Sequence, residues 1–86
     1  MIGMPMDKKD QLAELISNAE TSFYNGQLQE AFSLSLSAIK LDENCADAYQ
    51  CAANVCMSLS RYEDAIEYYQ KVQIYIMLIT QIEMNL

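Results

Sequence analysis

The sequence predicts an all-α domain of two helix-turn-helix units, with a last helix that runs on past the second unit. Three observations predict it. Apolar residues recur at i, i+3, i+4 and i+7 in four successive segments, the period of helices that each bury one face. Polar or turn-forming residues separate those segments at Asn25-Gly26, at Asp42-Glu43-Asn44 and at Ser60. The pattern also repeats at a shift of 34 residues: Leu15 falls on Tyr49, Ala19 on Ala53, Leu28 on Tyr62, Glu30 on Asp64 and Ala31 on Ala65. A helical pair that recurs at a fixed period of this length is one supersecondary unit used twice.

Met1 to Met6 holds the single proline, Pro5, and residues 1–9 read as a flexible lead-in. Asp7 or Asp10 caps the first helix, whose stripe is Leu12, Leu15, Ile16, Ala19 and Phe23. Gly26 ends it, because glycine takes the left-handed conformation a helix terminus needs. The second helix opens at Leu28 and carries Ala31, Phe32, Leu34, Leu36, Ala38, Ile39 and Leu41. Asn44 with Asp47 resembles a capping box, so the third helix is expected over about residues 45–59, with Ala48, Tyr49, Ala52, Ala53, Cys56 and Met57. Ser60 with Glu63 is a fuller capping box and predicts a fourth helix from Arg61, its inner face made of Tyr62, Ala65, Ile66, Tyr69 and Val72. Short connections make sequential helices antiparallel neighbours. The units divide as 10–44, 45–75 and an apolar helical extension over 76–86.

Composition narrows the function classes. With 86 residues the chain makes a single domain, and 52% hydrophobic content is ample for a core. Five basic residues face twelve acidic ones, net −7, and Lys8, Lys9, Lys40, Arg61 and Lys71 form no cluster. Nucleic-acid binding needs concentrated Lys and Arg, and so does an anionic membrane surface. Basic or polar protein partners suit this charge better. No apolar run reaches the roughly 18–20 residues of a membrane span. No secretory signal is visible, and three cysteines are an odd number, so a reducing, cytoplasmic setting is expected.

The chain resembles the tetratricopeptide repeat family over roughly residues 12–75. The carriers are the small residues Ala19 and Ala53 in the first helices and Ala31 and Ala65 early in the second helices. Ala38-Ile39-Lys40-Leu41-Asp42 and the phrase Tyr62-Glu63-Asp64-Ala65-Ile66-Glu67-Tyr68-Tyr69-Gln70-Lys71 add to these. Glu43 stands where the family usually has proline. The resemblance implies an α-solenoid of two repeats, a family used as a scaffold for many partners. It also implies a concave groove lined by the first helices, with Ala13, Ile16, Glu20, Phe23, Asp47, Gln50, Asn54 and Met57 facing a peptide or partner helix. Gln50 and Asn54 are one turn apart, and their amides both donate and accept, which suits an extended peptide backbone. Glu20 and Asp47 favour a basic ligand side chain. A subset of the family clamps chaperone C-terminal carboxylates with Lys and Asn. Ile16, Glu20 and Cys51 stand at those positions and donate no charged hydrogen bond, so that role is not expected.

No catalytic residue, cofactor or metal site is expected. The chain has no histidine and no glycine-rich phosphate loop. Cys51 and Cys56 lie about 140° apart around one helix and cannot share a metal ion. Cys45, near a helix start, is the best placed of the three for thiol chemistry. The expected function is therefore a non-enzymatic interaction module acting as an adaptor, co-chaperone or assembly component.

The tail offers a second expectation. No Gly, Pro or Asp interrupts Val72 to Gln81. Val72 to Thr80 is rich in β-branched and aromatic residues, which also suit a strand, but the preceding turns set a helical register. The extension is apolar beyond one stripe, where the last helix of such an array is usually polar outside. Tyr75, Ile76, Ile79 and Ile82 are the expected interface, serving a partner or a homodimer.

Overall fold

The computed structural model describes residues 7–84. Most of the expected lead-in, with Pro5, and the last two residues of the extension lie outside the described residues. Four helices form: α1 Lys8–Tyr24, α2 Leu28–Leu41, α3 Ala46–Ser58 and α4 Tyr62–Met84. They pack as two hairpins, α1 on α2 and α3 on α4; α2 joins the hairpins by packing on α3, with a smaller approach of α1 to α3.

The core is made of small side chains. Ala19, Ala31, Ala38, Ala48, Ala52, Ala53 and Ala65 are buried, joined by Tyr49, Val55 and Cys56. Alanine at a crossing lets two helix backbones approach closely, and the interior then closes by contact rather than by bulky filler. Burial recurs at the 34-residue shift, with Ala19 and Ala53, Ser22 and Cys56, and Ala31 and Ala65 all buried. Ser35, inside α2, meets this dry surface by donating its hydroxyl to the Ala31 carbonyl at 2.8 Å.

The two hairpin turns are copies of each other. At the end of α1 the Gln27 N–H reaches the Ser22 carbonyl at 2.8 Å and the Gly26 N–H reaches the Phe23 carbonyl at 3.1 Å. At the end of α3 the Arg61 N–H reaches Cys56 at 2.8 Å and the Ser60 N–H reaches Met57 at 3.1 Å. Both are the paired closure that satisfies the last carbonyls of a helix, and both need one residue in left-handed conformation. Gly26 supplies it in the first turn, at φ 79°, and Ser60 in the second, at φ 62°.

That geometry corrects two expected capping boxes. Ser60 does not cap α4; it closes α3, and α4 begins at Tyr62 rather than Arg61. Its first turn is steadied instead by Arg61, which pairs with Asp64 at 2.9 Å. Asn44 does not cap α3 either. Cys45 holds the cap position with no side-chain bond, and the Asn44 N–H turns to the Asp42 carboxylate at 2.9 Å. At α1 the choice left by the sequence falls on Asp7, whose carboxylate accepts from the Asp10 N–H at 2.9 Å. Lys8 and Lys9 are therefore already helical.

The inner face of α4 also differs from the expected one. Ala65 is buried and Tyr68, Tyr69, Val72 and Tyr75 are half-buried, a continuous i, i+3, i+4, i+7, i+10 stripe. Tyr62 and Ile66, expected inside, are 55% and 56% exposed. Ala65 is the fully buried member of that stripe on a helix that packs against α3, and Ile66, 100° farther round, falls outside it. The helix is long: 23 residues span about 34 Å, against about 20 Å for the 13 residues of α3. Its C-terminal turns therefore overhang its partner.

Candidate functional site

A cleft of about 220 Å³ lies between α1 and α3. Every fourth or third residue of each helix faces it, because that spacing keeps side chains on one helical face. Ile16, Glu20 and Phe23 enter from α1, and Asp47, Gln50 and Asn54 from α3. Six of the eight residues expected in a groove thus stand in one cleft. The other two, Met57, which is 46% exposed, and Ala13, lie outside its lining. The cleft also takes Tyr24, whose ring meets Phe23 edge-on with centroids 5.6 Å apart.

The polar wall is braced. Gln50 Nε2 donates to Asn54 Oδ1 at 3.3 Å, and the Tyr69 hydroxyl of α4 donates to the same oxygen at 2.7 Å. The Asn54 carbonyl is therefore spent inside the protein. Its amide nitrogen and the Gln50 oxygen remain, one a donor and one an acceptor. No buried side-chain nitrogen or oxygen among the described residues lacks a partner, so both of these atoms are open to solvent. Sequence reasoning placed the two amides and missed their brace. Tyr69 sits 15 residues beyond Asn54, and only the α3–α4 packing joins them.

The field in the cleft is negative. Burial pushes the Cys51 thiol up to about 11, and the nearby carboxylates of Glu20 and then Asp47 add to the rise. Two helices thus aim acidic groups at one half-buried sulfur, and a cation gains from the same field that a thiolate suffers. Burial also raises the Cys56 thiol. All three cysteines are free; Cys45 and Cys51 are half-buried and Cys56 is buried.

The residues expected at an interface divide in two. Tyr75 turns inward: its hydroxyl donates to the Glu43 carbonyl at 2.8 Å, which also accepts from Tyr49 at 2.8 Å. The Tyr49 ring lies between those of Tyr68 and Tyr75, with centroids 6.3 and 6.1 Å away. Tyr75 thereby ties α4 to the α2–α3 connection. Ile76, Ile79 and Ile82 are exposed, and with them Ile74, Met77 and Leu78. No helix of the described residues is long and apolar enough to cross a membrane. Among the described residues no group of three or more His, Cys, Asp or Glu is placed to hold a metal ion.

No protein-family model matches the chain, and neither a curated protein nor a solved structure matches it.

Proposed function

We propose that the chain is a non-enzymatic interaction module that holds a basic peptide, in extended form, in the cleft between α1 and α3. The carrying observation is the composition of that cleft. Glu20 of α1 and Asp47 of α3 both line it and both act on Cys51, beside the amide pair of Gln50 and Asn54 that Tyr69 braces. Ile16 and Phe23 supply the apolar wall. A ligand lysine or arginine meets the carboxylates, its backbone meets the free donor and acceptor, and an apolar neighbour packs on Phe23. The resemblance to tetratricopeptide repeats, with their peptide-holding concave face, supports the same reading, as do the duplicated turns 34 residues apart. A role as an adaptor or assembly component in a reducing, cytoplasmic setting goes with three free thiols.

The test is a peptide display library panned on the folded chain. Enriched sequences should carry Lys or Arg next to an apolar residue, and Glu20→Gln with Asp47→Asn should abolish their retention and its salt dependence. Enrichment without basic residues, or retention unchanged in the double variant, would sink the reading.

A further inference from the structure

The overhanging end of α4 is a second surface, separate from the cleft. Ile74, Ile76, Met77, Leu78, Ile79 and Ile82 are each 51–63% exposed there, and they point to all sides of the helix. A helix that is apolar all round belongs in an interior, and the described residues give this one none.

The rest of the molecule limits what covers it. The other large apolar side chains exposed among the described residues are Tyr24, Leu36, Met57, Tyr62 and Ile66, spread over four helices, with Met84 at the very end of α4. Tyr24, Leu36 and Met57 stand on three different helices, and Tyr62 and Ile66 are one turn apart at the start of α4, so none makes a run as long as that of the tail. Among the described residues the tail is the longest run of exposed apolar side chains.

Charge points the same way. The chain carries −7, yet Val72 to Ile82 contains no charged residue. Two copies can meet at this segment without setting like charges against each other, which a meeting elsewhere on so acidic a surface would do. The flanks set the direction. Lys71, exposed although its ammonium lies 5.6 Å from the Tyr49 ring centroid of its own chain, precedes the neutral stretch and Glu83 follows it. Antiparallel tails bring Lys71 of each copy toward Glu83 of the other and oppose the two helix dipoles. Parallel tails would stack lysine on lysine and glutamate on glutamate.

We infer that the C-terminal turns of α4 are a self-association surface, on which a second copy of this chain lays its own α4 antiparallel to form a two-fold dimer. The contact is isologous and closes on itself, so it yields a dimer and not a fibre. It leaves the cleft between α1 and α3 untouched.

Sedimentation equilibrium over a concentration series tests this, with circular dichroism as a control on folding. The mass should rise from monomer to dimer. Ile79→Glu with Ile82→Glu should hold it at monomer without changing the helical signal, because both side chains are already exposed. Lys71→Glu alone should weaken the dimer, roughly three- to tenfold for two exposed pairs made repulsive. Adding Glu83→Lys to that variant should restore it. A monomer mass kept up to about 1 mM overturns the proposal, and so does a dimer that survives the two glutamates. Binding of the monomer to neutral phosphatidylcholine vesicles in place of dimerisation overturns it in favour of a membrane surface. A dimer indifferent to Lys71→Glu overturns the antiparallel arrangement.

Discussion

At the scale of single residues, Ser60 shows how one position can serve the fold at a local cost. A side chain in left-handed conformation sets its Cβ against the following carbonyl, at roughly 1–2 kcal/mol. Gly26 fills the equivalent place in the first turn without that strain. Ser60→Gly is therefore expected to stabilise the chain by about 1 kcal/mol, measured as a rise in the urea midpoint at constant slope. Gly26→Ala should lower it by about 1 kcal/mol, because the added Cβ meets open space yet the backbone stays at φ 79°. Equal midpoints for Ser60→Gly and wild type would mean that the turn relaxes around serine.

Between elements, the helices are held by closeness. The buried alanines of α1 and α3 set the width of the cleft as well as the density of the core, since Ala19 lines the cleft and is 1% exposed. Enlarging one of them must push helices apart. Ala53→Leu is expected to cost about 1–3 kcal/mol, the usual range for overpacking a filled interior. Its checking measurement is thermal unfolding followed at the helical band, and a variant as stable as wild type would show a void that the structure does not contain. The tyrosine group works between elements too. Tyr49 and Tyr75 share the Glu43 carbonyl, so the connection from α2 to α3 is pinned by both helices of the second hairpin. Lys71 adds its ammonium over the Tyr49 ring, 5.6 Å from the centroid.

For the whole molecule, the titrating groups that move do so in one direction. Burial raises Tyr49, Cys51, Cys56 and Tyr68, with neighbouring charges as lesser causes. An acid whose folded value is raised keeps its proton in the fold while the unfolded chain releases it. Stability is then complete below the ordinary value and falls as pH rises toward the folded one. For Cys51 that window runs from 9.0 to about 11. Urea midpoints should hold steady near neutrality and decline above about pH 9, less steeply in Cys51→Ala. A flat profile to pH 10.5 would show that the thiol is not shielded as its surroundings imply. The acidic balance acts at the same scale. Net −7 is the property on which both the proposed basic ligand at the cleft and the proposed meeting of two copies at the uncharged end of α4 rest.

The four helices and their order were legible from residue spacing alone, because apolar periodicity and turn residues are local signals. It placed Ile16, Glu20 and Phe23 on one face and Asp47, Gln50 and Asn54 on another, since a helix fixes those directions once it forms. How such faces are used depends on the packing of one helix on another, which no local pattern carries. Whether Ser60 caps the helix after it or closes the one before it depends on where α4 leaves α3. Serine suits both roles, and the capping pattern reads alike in either. Ile66 and Tyr68 are both apolar enough for an inner face, and the approach of α3 at Ala65 chose Tyr68. The brace from Tyr69 to Asn54 and the tie from Tyr75 to Glu43 link residues 15 and 32 positions apart, beyond any local pattern. The same physics sets Tyr75 apart from Ile76. Tyr75 faces the α2–α3 connection and Ile76, 100° farther round the helix, faces away from it; Ile79, one turn beyond Tyr75, has passed the end of its own fold.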